Sequence, residues 1–294
     1  MKTPPVIALT GSTNGLGRLA ALELARKGAH LALVVRNQAK ANALRTQIEQ
    51  AAPGAKVEIF LADLSLLADV YRVGRQIDAY YPRIDVLINN AGVHAFSQRV
   101  TSEGLSEMTV VNYLAPWLLT DLLRENLLAS APARIVTVAS RASNHAGNQS
   151  PVRYLGETEP YSRRESSQRY GWTKLLDIMF TQELGRQLEG TGVAVTCCCP
   201  GFNVTGLGRD LAIAGGLEKI LGALNIGNPQ HGAEIIVQLA TDPAFAGTTG
   251  GFFAAKGAKP LTCPEPGRDE AVQRELWQAT AEFLYDVRHI QPAP

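Results

Sequence analysis

The sequence predicts an α/β fold with a doubly wound, parallel sheet of about seven strands and helices on both faces. Three observations carry that prediction. Segments of strand character alternate with segments of helical periodicity almost from end to end. The strand segments are continuous apolar runs, such as VIALT and RIVTVA, as expected of strands covered on both faces. A glycine-rich turn at residues 10–17, TGSTNGLG, joins the first strand to the first helix, where the first phosphate-binding turn of such a sheet belongs.

In chain order, residues 6–10 form a strand and 15–28 a helix with Leu16, Leu19, Ala20, Leu24 and Ala25 on one side. A second strand over 30–35 precedes a helix over 39–52, stopped by Pro53 and Gly54. A third strand (56–62), a helix (66–81) and a fourth strand (85–89) follow. A long helical stretch over 103–128 leads to a fifth strand at 134–139. Residues 170–188 have helical periodicity and 192–199 form a sixth strand. A helix near 232–239 and a short strand at 251–255 close the sheet, and 268–290 form a C-terminal helical extension. With no repeat, low-complexity tract or linker, residues 1–294 are expected to be one domain.

Two segments interrupt the alternation. Residues 141–169 are polar and read either as a solvated loop or as a rim over the site. Residues 202–227 carry Leu207, Leu211, Ile213, Leu217, Ile220, Leu221 and Leu224 between glycines at 206, 208, 215 and 216. That pattern suits a substrate loop closing as an apolar flap, or packing on the domain or a partner subunit.

The 294 residues are 46% hydrophobic and 19% charged, enough for a full core. A net charge of +1, from 28 basic and 27 acidic residues, leaves no electrostatic footprint for nucleic acid or an anionic membrane. No apolar run reaches the roughly 18 residues of a membrane span, and the N-terminus lacks a signal-type apolar region, so a cytoplasmic protein is expected. Cys197, Cys198 and Cys199 are consecutive; neighbours on a strand face opposite ways and cannot converge on one metal, so no metal site is predicted. Whether the chain forms a homo-oligomer, dimer or tetramer, is left open.

In the glycine-rich turn, Gly11 permits the tight bend, Gly15 lets backbone approach a pyrophosphate, and Gly17 allows close helix–strand packing. Ser12, Asn14 and Leu16 complete the expected cofactor-binding turn. At the end of the second strand stands Arg36, where a carboxylate would select NAD; a cation there accommodates a 2′-phosphate, so NADP(H) is expected over NAD(H). Asp63, followed by Leu64, is placed to accept from the adenine amino group. Asn90, Ala91 and Gly92 lie at the same carboxyl edge of the sheet, the edge at which open parallel sheets bind ligands.

Tyr170 and Lys174 stand at i and i+4 and project from one helix face. A free phenol titrates near pKa ~10, and a nearby ammonium favours the phenolate. Ser140, at the end of the fifth strand, supplies a polarising hydroxyl.

These motifs together resemble the classical short-chain dehydrogenase/reductase family over residues 4–290. Residues 10–17 match its TGxxxGxG, residues 89–92 its NNAG, and Asn112 the asparagine of its central helix. Ser140 matches the second serine of its strand-end pair, the first being Ala139 here. Tyr170 and Lys174 match its YxxxK, and Pro200, Gly201 and Thr205 its PGxxxT. The resemblance implies a single-domain Rossmann-type fold. It also implies that Tyr170 is the general acid/base, that Ser140 polarises the substrate oxygen, and that Lys174 binds the nicotinamide ribose and lowers the tyrosine pKa. Asn112 would hold a water of the proton relay, and Thr205 would contact the carboxamide.

A narrower likeness, on RIVTVAS, the thirty positions from Ser140 to Tyr170, KLLDIMFTQELGRQLEGTGV and LWQATAEFL, is to the retinol-dehydrogenase-like and WW-domain-oxidoreductase-like branch. Thr173 in place of the usual serine, a bulky Trp172 beside the site and no preceding membrane anchor weigh against a retinoid substrate. The function expected is NADP(H)-dependent hydride transfer between a ketone or aldehyde and an alcohol, on a bulky, largely apolar small molecule. The alternatives are a reductase of carbon–carbon double bonds and a non-catalytic NADP-binding sensor or scaffold; retention of both Tyr170 and Lys174 speaks against the latter.

Overall fold

The computed structural model describes residues 4–201 and 228–290. Eight strands form one sheet in the order β3-β2-β1-β4-β5-β6-β7-β8. They are β1 (Val6–Thr10), β2 (His30–Val35), β3 (Val57–Leu61), β4 (Val86–Asn89), β5 (Ala133–Val138), β6 (Val193–Cys199), β7 (Gly251–Ala254) and β8 (Pro260–Leu261). The first seven pair in parallel and β8 pairs antiparallel with β7. The eighth strand is an addition to the seven expected, and its two residues carry no apolar run that could announce it.

Side-chain alternation splits each strand between two apolar layers. Ala8, Leu87, Ile135 and Val195 pack on one face with α3 (Leu67–Tyr80), α5 (Ala115–Leu122), α7 (Ser166–Gln187) and α9 (Glu270–Ile290). Ile7, Leu9, Ile88 and Val136 pack on the other with α1 (Gly15–Arg26), α2 (Gln38–Ala51) and α8 (Pro229–Thr241). Cys197 and Cys199 join the first layer and Cys198 the second, and burial pushes the thiols of Cys197 and Cys198 up. The chain runs from β1 out to β2 and β3, then returns to β4 on the other side of β1. Connections diverge between β1 and β4, so the crevice at their carboxyl ends is the topological switch point of the sheet.

The helix expected over 103–128 is broken into α4 (Glu107–Thr109), a π turn (Val110–Leu114), α5, and α6 (Arg124–Leu128). Proline is the cause: Pro116 has no N–H to give the Asn112 carbonyl four residues back, and the ladder widens just before it. The C-terminal helix α9 belongs to the body of the fold. The hydroxyls of Thr280 and Tyr113 share a hydrogen bond of 2.8 Å, and Trp277 packs against Phe180 and Trp117.

Candidate active site

The crevice is built first by backbone packing. Gly11, at φ 68°, brings the β1 loop against the β4 loop so closely that a Cβ there would lie 2.8 Å from the Ala91 Cα. A Cβ on Gly17 would overlap the Gly11 carbonyl and lie 2.5 Å from Asn90 Nδ2. Asn90 Nδ2 donates to the carbonyls of Thr10 (2.8 Å) and Gly11 (3.2 Å), and the N–H groups of Asn90 and Ala91 both donate to Thr10 Oγ1 at 3.0 Å. The two loops therefore form one rigid cradle.

Its chemistry suits an anion. Asn14 precedes α1 but makes no side-chain cap, and the first turn, with Gly15 and Leu16, carries no acidic residue. The first-turn N–H groups are left for a ligand of opposite charge to the positive end of the helix. Ser12 Oγ, fully buried, has no hydrogen-bond partner among the described residues. These features fit a dinucleotide phosphate. At the adenosine end, the exposed Arg36 lies 3.6 Å from the Asp63 carboxylate, which also accepts from the N–H and hydroxyl of Ser65, beside the half-buried Leu64. No carboxylate stands near Arg36 in the sequence; the fold supplies one from the next strand. Pro200 and Gly201 follow β6 at the same edge. Residues 202–227, Thr205 among them, lie outside the described residues.

The proposed catalytic groups come from α7, the end of β5 and the π turn. Ser140 leaves β5 in an extended conformation, and its Oγ accepts from the Ala142 N–H at 3.1 Å, capping a 3-10 turn over Arg141–His145. With the oxygen so held, the hydroxyl proton is free to donate. The turn lies directly on α7 at Gly171, where a Cβ would be 2.5 Å from the Ala142 carbonyl. Replacing Gly171 with Ala should push the Ser140 turn off the helix. We expect kcat to fall by about 10²-fold with the cofactor Kd unchanged, the size of effect that misplacement by about an ångström produces. A Gly171→Ala enzyme with unaltered kcat would contradict this placement.

Lys174 is buried, and its Nζ donates to the Val138 carbonyl and to Asp177 Oδ2, each at 2.8 Å. The ammonium lies 5.8 Å from the centre of the Tyr170 ring. Asn112 is fully engaged: its Oδ1 accepts from the Val93 N–H, and its Nδ2 donates to the Val93 carbonyl and to Thr173 Oγ1. Its side chain ties the Gly92 loop to α7, and Pro116, four residues on, has no N–H to give the Asn112 backbone carbonyl. Thr173 in turn donates to the Tyr170 carbonyl at 2.8 Å, so the threonine keeps a hydroxyl's bonding.

Lys174 does lower the Tyr170 phenol, but burial outweighs it and the phenol is pushed up, with Asp177 and Cys199 adding to the rise. Two expectations need correction. Trp172 does not border the site: it is buried in the core and stacks on Tyr154 at 4.2 Å. Its bulk therefore says nothing about substrate. Residues 141–169 are not a simple solvated loop. They bury Tyr154, Leu155 and Tyr161, and Arg169 pairs with Glu157 at 2.6 Å beneath the rings of Tyr154 and Tyr161. Tyr161 donates to the Ala95 carbonyl and Arg163 covers Phe96, fastening this rim to the loop after β4.

Two residues near the chemistry went unnoticed in the sequence. Asp177 stands at i+3 from Lys174, and that spacing was the available signal. His94 stacks on Tyr170 at 4.7 Å, and burial holds its imidazole below the ordinary range. Only the fold brings them together.

The family model for short chain dehydrogenases matches residues 5–154. Human retinol dehydrogenase 13 is 33% identical, covering 95% of this chain and 84% of that protein. A Streptomyces sp. (strain C5) protein bearing the provisional name daunorubicin C-13 ketoreductase DnrU is 32% identical, covering 95% of this chain and 92% of its own. Among solved structures, one from Beutenbergia cavernae, described as a candidate NAD(P)-dependent gluconate 5-dehydrogenase with NADP bound at low occupancy, superposes with a TM-score of 0.66. It is 27% identical, covering 86% of this chain and 95% of the other.

Proposed function

Since this chain belongs to the short-chain dehydrogenase/reductase family, in its retinol-dehydrogenase-like branch, we propose that it interconverts a carbonyl and an alcohol with NADP(H), using Tyr170 as general acid/base. The observation that carries this reading is that Lys174 Nζ is held 5.8 Å from the Tyr170 ring and the Ser140 turn packs on the same helix at Gly171, beside an anion cradle.

Bound nicotinamide would supply or accept the hydride. The chain's own residues do the rest. Ser140, its oxygen held by the Ala142 N–H, donates its proton to the substrate oxygen and polarises the C–O bond. Tyr170 gives its phenolic proton to that oxygen in reduction and takes it back in oxidation. Lys174, fixed by two hydrogen bonds, holds positive charge near the phenol and would reach the nicotinamide ribose beside Gly92, where a Cβ would lie 3.9 Å from Nζ. A water on the Asn112 carbonyl would pass the proton onward.

Arg36 supports NADP(H) over NAD(H). Its guanidinium is exposed, and its ion pair with Asp63 is long enough to open for a 2′-phosphate, with which it can form stronger charge-assisted bonds. Arg36→Asp should raise the Kd for NADPH by about one to two orders of magnitude, the worth of hydrogen bonds to a charged group. NADH binding should change little. Equal Kd values for the two cofactors in the unmodified enzyme would refute the preference.

The substrate is read as bulky and mainly apolar. Retinol, in the name of one relative, is a molecule of that kind, and daunorubicin, in the name of another, is bulky. Seven large aliphatic residues in 202–227 point the same way. The test is kcat/KM with NADPH over ketones and aldehydes of rising apolar size. A rise with size is expected; a preference for small polar sugars or hydroxy acids would overturn the assignment.

A further inference from the structure

The carboxylate of Asp177 has no part in the chemistry described above, yet it is nearly sealed from solvent and bonded to the lysine that faces the tyrosine. Its side chain is 1% exposed, that of Lys174 is 4% exposed, and they meet at 2.8 Å one turn along α7. The second carboxylate oxygen, Oδ1, is buried with no hydrogen-bond partner among the described residues. A buried carboxylate costs free energy unless it is paired, and here one oxygen is paired only to the lysine. The same ammonium is tied to the Val138 carbonyl at the end of β5, so two acceptors fix its position.

We propose that Asp177 is a positioning residue that sets how strongly Lys174 acts on Tyr170, anchoring the ammonium and offsetting its charge so that the phenol keeps its proton. The proposal rests on the reading of Tyr170 as acid/base and extends it to direction: a protonated phenol is the state that carbonyl reduction consumes. An unopposed ammonium at this distance would favour the phenolate, the state that alcohol oxidation needs.

The groups that face this pair are few among the described residues. Tyr170, Lys174 and Asp177 come from α7, and the thiols of Cys197, Cys198 and Cys199 from β6. Tyr113 of the π turn and His94 of the loop after β4 complete the set. Lys174 is the only cation in it at neutral pH, because burial holds His94 below the ordinary imidazole range. Asp177 is its only carboxylate. Burial pushes that carboxyl to about 6 against the lowering pull of Lys174, so it is ionised at neutral pH and above, where it opposes the ammonium.

The test needs no substrate. Tyr170 ionisation is read from near-ultraviolet phenolate absorbance as a difference between two proteins. Wild type is compared with Tyr170→Phe, and Asp177→Asn with the double variant Asp177→Asn/Tyr170→Phe. Of eight tyrosines, only Tyr170 survives the subtraction. The neutral variant should move the Tyr170 midpoint down by about one pH unit or more, a tenfold gain in phenolate at a given pH. Asp177→Glu, which keeps the charge, should stay close to wild type. A structural role alone would lower the melting temperature of Asp177→Asn and leave the midpoint in place, and that result would overturn the proposal. So would failure of both Asp177→Asn and Asp177→Ser to fold, which would make the carboxylate a folding element. The two readings fail separately. If Tyr170→Phe retains turnover, the acid/base assignment falls. If that variant is inactive and the midpoint does not move, only the role of Asp177 falls.

Discussion

Replacing Tyr170 with Phe is expected to lower kcat by about 10²–10⁴-fold, the typical contribution of a general acid or base, with no change in the Kd for NADPH. The phenol ring is held independently of its hydroxyl. It stacks on His94 at 4.7 Å and its own carbonyl accepts from Thr173, so phenylalanine should keep the packing and lose only the proton. The Lys174–Asp177 pair forms without the phenolic oxygen and should survive intact. Steady-state turnover and cofactor titration of the same preparation check both halves. Activity within a few-fold of wild type would remove Tyr170 from the chemistry.

Lys174→Met should cost more in stability than any other single change at the site. It leaves the Asp177 carboxylate buried without its cation, a loss of about 3–5 kcal/mol for a broken buried pair. The loss should depend on pH in a definite sense. Asp177 is already raised from 3.8 to about 6 by burial, and removing Lys174 takes away the only influences that lower it. A carboxyl whose folded pKa lies above its unfolded value destabilises the fold as pH rises through the window between them, and not below it. The variant should therefore approach wild-type stability in acid and fall away toward neutral and alkaline pH. Asp177→Asn placed in the same background should recover most of the difference. Denaturant unfolding at several pH values measures this. A deficit that does not grow with pH would show that Asp177 carries no buried charge.

Much of the fold could be read from local pattern. The seven parallel strands are apolar runs bounded by turn residues, and their residues split between two core layers as a doubly covered sheet demands. The glycine turn was legible because strand, turn and helix follow one another directly. What escaped depends on contacts between distant segments. The π turn comes from Pro116 acting on Asn112 inside a stretch that otherwise reads as continuous helix. Residues 141–169 have a polar composition, but their few aromatics are spent on α7 and on the loop after β4. Trp172 sits two residues from Tyr170, and two residues on a helix turn a side chain far around the axis, into the core.

At the site, residue types and spacing pointed to Ser140, Tyr170 and Lys174, but not to the balance of forces among them. An i, i+4 ammonium suggests a lowered phenol. Burial depth and the presence of Asp177 reverse that direction, and neither is a property of the motif. Arg36 and Asp63 were each read as cofactor contacts; that they also face one another is set by the register of β2 against β3.

Direct transfer of hydrogen tests the central claim most closely. The enzyme is incubated with NADPH deuterated at the nicotinamide C4 and an apolar ketone or aldehyde, and the product is weighed by mass spectrometry. The expected result is one deuterium on the new carbinol carbon with wild type, and none with Tyr170→Phe on the same timescale. Tight binding of NADPH without deuterium transfer to any carbonyl of the series would contradict the account and leave a nucleotide-binding protein in place of an oxidoreductase.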